Sequence, residues 1–234
     1  MPPNQRLERT GRGRPLSRWT LGGQKRGDRI TELNLASAGA HLVAWVAFLR
    51  CAGVAAAVAR QALRARRTVV TRWGLVETLA APEPFLMGAF TYVSYAGGPR
   101  HPEVSSVAFA FVIIGVLLSV AGAALWLWAF ATIPGLSSGH YVLPEQTLIT
   151  RGPYAKIRHP IYLAVIVLWL SVASVYASLS MLVVALLYVV PAYAFYARSE
   201  EQMMIDHFGS AYRQYQQQTG MLFPRLRAGH PTSR

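Results

Sequence analysis

Apolar residues fall in long runs along this chain, and a helix needs about 20 of them to cross a bilayer. Run 105–133 is the clearest: it holds 29 residues, none charged, and stops at Pro134. Run 160–197 holds 38 residues without a formal charge. That is about twice one span, and Ser171, Ser174, Tyr176, Ser178 and Ser180 cluster at its middle. It predicts two helices joined by a tight turn. Two weaker runs come earlier. Run 73–97 is broken by Glu77, Pro82, Glu83 and Pro84, which a membrane tolerates only where neighbouring helices satisfy the freed backbone groups. Run 36–59 is rich in Ala and Gly, which suits close helix packing, but carries Arg50 near its centre. Together the runs predict an all-α integral membrane protein with about five transmembrane helices and a C-terminal helical hairpin.

Residues 1–35 are patterned differently. Eleven charged side chains are mixed there with Gly and Pro, with no helical or alternating period, which predicts a disordered basic arm. The first apolar run starts only near Ala36, too late for a cleaved export signal. The expected organisation is therefore an arm over 1–35, N-terminal transmembrane helices over 36–133, and a C-terminal region over 134–234 that contains the hairpin.

Composition supports a lipid environment. The 234-residue chain is 53% hydrophobic and 14% charged, which excludes an ordinary soluble domain. Its 23 Lys and Arg against 10 Asp and Glu leave a formal charge of +13. On so apolar a chain that excess points to the membrane lipid bilayer as partner, not to nucleic acid. The single cysteine, Cys51, permits neither an internal disulfide nor a Cys-rich metal cluster, and His101, His140, His207 and His230 are scattered, so no metal site is expected. Basic residues also orient the spans. Segments 60–72, 134–159 and 198–234 hold five, three and five of them, against Arg100 alone between the second and third runs. Those three segments are expected in the cytoplasm, which makes this an inner-membrane protein with its polar site facing the cytoplasm. The eight Lys and Arg of the arm also favour the inside, so run 36–59 either crosses or re-enters.

Polar chemistry gathers at the two ends of the predicted hairpin, in 151–162 before it and 198–202 after it. A hairpin brings its ends together. The expected result is a pocket at the membrane surface with a cationic cluster, the His159 imidazole, two tyrosines and the Glu200 and Glu201 carboxylates, a mixture suited to a zwitterionic ligand with an aromatic body. Anchored headgroups and solvated charges would give the same composition. With Pro160 opening a helix, His159 lies at its cap and Tyr162 in its first turn, where free N–H groups and the positive helix end receive an anion. Glu200 and Glu201 point about 100° apart on a helix. Both cannot face one atom, so one is expected to serve a ligand and the other its neighbours.

The order of these residues resembles the isoprenylcysteine carboxyl methyltransferases and their bacterial relatives, which share a C-terminal region with the phospholipid methyltransferases. The resemblance runs through Leu148-Ile-Thr-Arg-Gly-Pro-Tyr-Ala-Lys-Ile-Arg-His-Pro-Ile-Tyr-Leu163, Glu200-Glu201, Phe208-Gly209 with Tyr212 and Tyr215, and Phe223-Pro224. It covers roughly the last 100 residues, by the spread of those motifs. It implies an integral-membrane enzyme that moves a methyl group from S-adenosylmethionine to a lipophilic or small acceptor, with 134–234 as the catalytic region and 36–133 on the acceptor side. It further implies that Gln146, Leu148, Ile149, Tyr154, His159, Pro160, Ile161, Tyr162, Glu200 and Glu201 surround the cofactor. Arg158 and Glu200 are the residues it leaves nearest the chemistry.

Three positions depart from the family's pattern. Gln146 and Ala164 stand where relatives often carry His and Gly. More consequentially, Tyr196 stands where an Arg commonly meets the acceptor's carboxylate, and Arg198 lies about 200° around the helix from Glu200, which makes it a poor substitute. Arg158 could supply that charge; otherwise the acceptor is a lipid amine or thiol. Two other readings stay open: a relative of membrane NADPH-dependent sterol reductases, and a non-catalytic lipid-binding protein. Elsewhere, His41 and Arg50 read as packing or orientation features, whereas Glu83 reads equally as structural or as lining an acceptor route. Tyr188, Pro191, Tyr193, Phe195 and Tyr196 read as an aromatic interface belt with a proline kink.

Overall fold

The computed structural model describes residues 17–64, 81–97, 106–133 and 147–225, with side chains from 31 to 56 in the first segment. Regular elements among the described residues are helical. They are α1 (Ser17–Arg64), α2 (Glu83–Ala96), α3 (Ser106–Thr132), a 3-10 turn (Gly152–Ala155), α4 (Pro160–Val175), α5 (Leu179–Phe208) and α6 (Ser210–Gln218). Within these, Thr31–Ala56, Ser106–Thr132 and Leu179–Phe208 are long and apolar enough to cross a bilayer. The apolar α4 is shorter, at 16 residues.

Two boundaries differ from the sequence expectation. Helix α1 begins at Ser17, so residues 17–35 are helical and not part of an irregular arm. Proline ends at Pro15 in this region, and the glycines that follow weaken a helix without ending it. Within run 73–97 the described helix is the 14-residue α2, whose start at Glu83 is favoured by Pro82 and Pro84. Residues 73–80 lie outside the described part.

The C-terminal hairpin forms where the serines predicted it. Ala177 takes a positive φ of 44° in the turn, and Ser178 Oγ then caps α5 by accepting from the Met181 N–H at 3.4 Å. Within α5, Ala185–Val189 winds as a π turn just before Pro191. Proline has no N–H and crowds the preceding turn, and widening that turn accommodates both effects.

Small residues let α3 lie close along α4. A Cβ on Gly122 would stand 3.0 Å from Leu168 Cγ, and one on Gly115 would clash with Val175 and stand 2.8 Å from the Ser171 carbonyl. Backbone cannot move aside as a side chain can, so these glycines set the interhelical distance. On the outer faces Trp45, Leu49, Phe111, Leu117, Leu127, Leu187 and Phe195 are exposed, as lipid contact requires. Inside, Val43, Met87, Leu168, Trp169, Val172, Met181 and Val189 form one core built from α1, α2, α4 and α5. That core holds the two ends of the hairpin in register.

Candidate active site

His159 is placed by the residue after it. The position before a proline is pushed out of the helical region, and His159 has φ −122° and ψ 62° while Pro160 starts α4. No side chain caps this helix start. The polypeptide beyond α6 closes over the same place as a short strap. Arg158 N–H donates to the Gly220 carbonyl at 2.8 Å and His159 N–H to the Met221 carbonyl at 3.0 Å, with Ile157 and Gly220 paired in a parallel bridge. Gly209, at φ 57°, provides the break that turns α5 into α6 and returns the chain.

The hairpin's ends meet at the imidazole. His159 Nδ1 lies 3.4 Å from Glu200 Oε2, and Nε2 lies 3.2 Å from Glu201 Oε1. The adjacent glutamates thus approach two atoms of one ring, which reconciles their angular separation with a shared partner. Glu201 is committed further: Arg158 Nε donates to its Oε1 at 2.6 Å and Gln216 Nε2 to its Oε2 at 2.8 Å. Arg158 also donates to the carbonyls of Gln216, at 3.2 Å, and Thr219. Glu200 is the more open carboxylate, and the Tyr162 hydroxyl donates to its Oε2 at 2.5 Å.

Aromatic rings complete the cluster. Tyr162 stacks on His159 with centroids 5.1 Å apart and planes 9° from parallel. Tyr193 and Tyr196 pack on Tyr162 at 5.1 and 5.5 Å. Both point inward, contrary to the interface belt expected for them, whereas Phe195 is exposed. The π turn and Pro191 set the phase of α5, and Tyr193, Tyr196 and Glu200 recur at i, i+3 and i+7 on one face. Imidazole, tyrosine and carboxylate touch directly, so the cofactor-sized gap expected between His159 and Glu200 is absent among the described residues.

Residues 110–211 match the family model of the phospholipid methyltransferases. The match spans somewhat less than half of the chain. No curated protein matches the chain. The similarity agrees with the kinship read from 148–163 and the Glu pair. The matched region contains Tyr154, Arg158, His159, Pro160, Ile161, Tyr162, Glu200 and Glu201, and excludes Arg50, Glu83 and the strap.

The remaining expected site residues fall nearby or outside view. Leu148 and Ile149 are half-buried in irregular chain before the 3-10 turn, and Gln146 lies outside the described residues. Tyr154 presents its carbonyl to the Tyr215 hydroxyl at 2.6 Å, and burial first, then the charge of Glu200, raises its pKa. Gln216 of α6 and the strap residues Thr219, Gly220 and Met221 were missed by sequence reasoning; the strap residues act through carbonyls or a missing Cβ, which carry no chemical signature. Tyr193 and Tyr196 had a signal, the helical spacing that joins them to Glu200.

Burial opposes a charge on His159, but its hydrogen bonds to Glu200 and Glu201 and their negative charge outweigh that, and its pKa is raised above 6.5. A raised folded-state pKa gives stability that is complete below the unfolded value, near 6.5, and is lost as pH rises through the folded value. The groups facing the ring are Arg158, Tyr162, Glu200 and Glu201. On the neighbouring α6, burial lifts Tyr215 to about 12 and Tyr212 higher, so neither titrates in the same window. The melting temperature in detergent should therefore fall as pH rises above about 6.5. His159→Gln should flatten that dependence; an unchanged slope would place the titration elsewhere.

Proposed function

We propose that this protein is an S-adenosylmethionine-dependent methyltransferase that works at the cytoplasmic face of the inner membrane on a lipophilic or small acceptor. The observation that carries the reading is the His159 imidazole held between Glu200 and Glu201 at an uncapped helix start, inside the region that matches the phospholipid methyltransferases. The groups present fit this cofactor. An uncapped helix start and an imidazole kept protonated suit the methionine carboxylate. The more open Glu200 suits the ammonium or ribose hydroxyls, exchanging its bonds to Tyr162 and His159 for them. Tyr154 and Tyr162 suit the adenosine, with Leu148, Ile149, Pro160 and Ile161 as apolar flanks and Gln146 as a polar one.

When bound, S-adenosylmethionine supplies a methyl group already activated by its sulfonium. The protein then needs chiefly to align the acceptor and exclude water. Glu201 and Arg158 are positioning residues in this reading, because both Glu201 oxygens and Arg158 Nε and Nη1 are engaged by His159, by each other, by Gln216 and by the strap. Arg158 is thereby a weak candidate for recognising an acceptor's carboxylate, and Tyr196 offers no charge at the position where relatives carry Arg. A lipid amine or thiol is the acceptor class these residues favour.

Calorimetric titration of the purified protein in detergent with S-adenosylhomocysteine tests this. Binding is expected, and His159→Ala and Glu200→Gln should each weaken it by at least about tenfold, as loss of a charged hydrogen bond does. A folded sample that ignores this ligand, or that is stabilised by NADPH instead, overturns the proposal.

A further inference from the structure

Beneath the candidate site lies a second polar cluster, whose charged pair the family match does not reach. Arg50 of α1 and Glu83 of α2 are 4% and 1% exposed and form a two-point ion pair, Nη1 to Oε1 at 2.7 Å and Nη2 to Oε2 at 2.5 Å. Trp169 Nε1 of α4 donates to Glu83 Oε1 at 2.6 Å, and the Tyr193 hydroxyl of α5 donates to Oε2 at 2.8 Å. Four donors therefore converge on one carboxylate. By the helical rise, Tyr193 sits about 10 Å from Glu200 along α5, so the pair lies deeper than the site.

A buried ion pair is weak evidence for stability, since apolar residues of similar volume often serve as well. What apolar residues could not do is fix the hydroxyl of Tyr193. That hydroxyl sets the ring, the ring packs on Tyr162, and the Tyr162 hydroxyl donates to Glu200. We propose that the Arg50–Glu83 pair is a positioning device for the candidate site, acting through Tyr193 and Tyr162 on Glu200. The inference rests on the methyltransferase reading only for its consequence in binding. Its physical content is that α1 and α2, outside the matched region, align a carboxylate inside it.

Tyr193→Phe breaks the link while keeping the ring and the ion pair. Two readouts apply: S-adenosylhomocysteine affinity, and the midpoint of the His159 imidazole followed by nitrogen-15 NMR in specifically labelled protein. The variant should bind about tenfold more weakly, the scale of one lost charged hydrogen bond. It should also shift the His159 midpoint, because Glu200 is shared between Tyr162 and His159. Glu83→Gln should do the same where it folds, and Tyr162→Phe gives the size of shift for complete loss of the last link. An unchanged His159 midpoint in Tyr193→Phe overturns the proposal whatever the affinity does. If the unmodified protein binds no S-adenosylhomocysteine, the functional reading fails, and the NMR midpoint still decides the coupling.

Discussion

Glu201→Ala should destabilise the protein by about 3 kcal/mol, the lower end of the cost of leaving a buried charge without its partner. Glu200→Gln, one residue away, should leave it folded. The difference lies in what each carboxylate holds. Glu201 takes Arg158 Nε, His159 Nε2 and Gln216 Nε2, joining the start of α4 to α5 and α6. Removing it takes the carboxylate partner from a guanidinium that is 11% exposed and one of two carboxylates from an imidazole that is 6% exposed. Glu200 is 21% exposed and faces the Tyr162 hydroxyl and His159 Nδ1, and an amide oxygen in its place still accepts from the hydroxyl. Thermal unfolding in detergent checks the first half, and S-adenosylhomocysteine titration the second. Equal melting temperatures for Glu201→Ala and the unmodified protein would show that the imidazole clamp does not hold these elements together.

The hairpin was legible because its determinants are local. An uncharged run of double length, a serine cluster at its middle and Pro160 at its start fix where two helices begin and turn, and His159 and Glu200 then have to meet. The motif residues were legible for the same reason, since Arg158-His159-Pro160 sits at the start of α4 and Glu200-Glu201 follows closely on the end of the uncharged run. What stayed hidden depends on pairing at a distance. Arg50 and Glu83 are 33 positions apart, and each alone reads as a costly charge in an apolar run. Only the packing of α1 on α2 makes them a satisfied pair that also engages Trp169 and Tyr193. The partners of the Arg158 guanidinium were hidden similarly: as a sequence position it is a free cation, but carbonyls contributed from 216 and 219 engage its Nη1. The extent of α1 was hidden because Arg, Gly and Lys are compatible with both a helix and an irregular arm, and no apolar period decides between them over 17–30.

The closeness of the strap makes Gly220→Ala the most damaging small substitution expected here. A Cβ at Gly220 would collide with the Phe223 carbonyl oxygen, and would stand 2.8 Å from the Phe223 carbonyl carbon and 3.1 Å from the Arg225 nitrogen. All three are backbone atoms, so no rotamer change relieves them. The chain must open the turn, at about 3 kcal/mol, the upper part of the usual overpacking cost. Opening it withdraws the Gly220 and Met221 carbonyls from Arg158 and His159, and the Thr219 carbonyl from the Arg158 guanidinium. The imidazole then loses its backbone anchor while Glu201 remains. Trypsin should cleave the variant after Arg213 or Arg225 under conditions where the unmodified protein resists, and affinity for S-adenosylhomocysteine should fall in step. If Gly220→Ala keeps both protease resistance and affinity, the strap does not hold His159 in place, and the rigidity of the site has to come from the two carboxylates of α5.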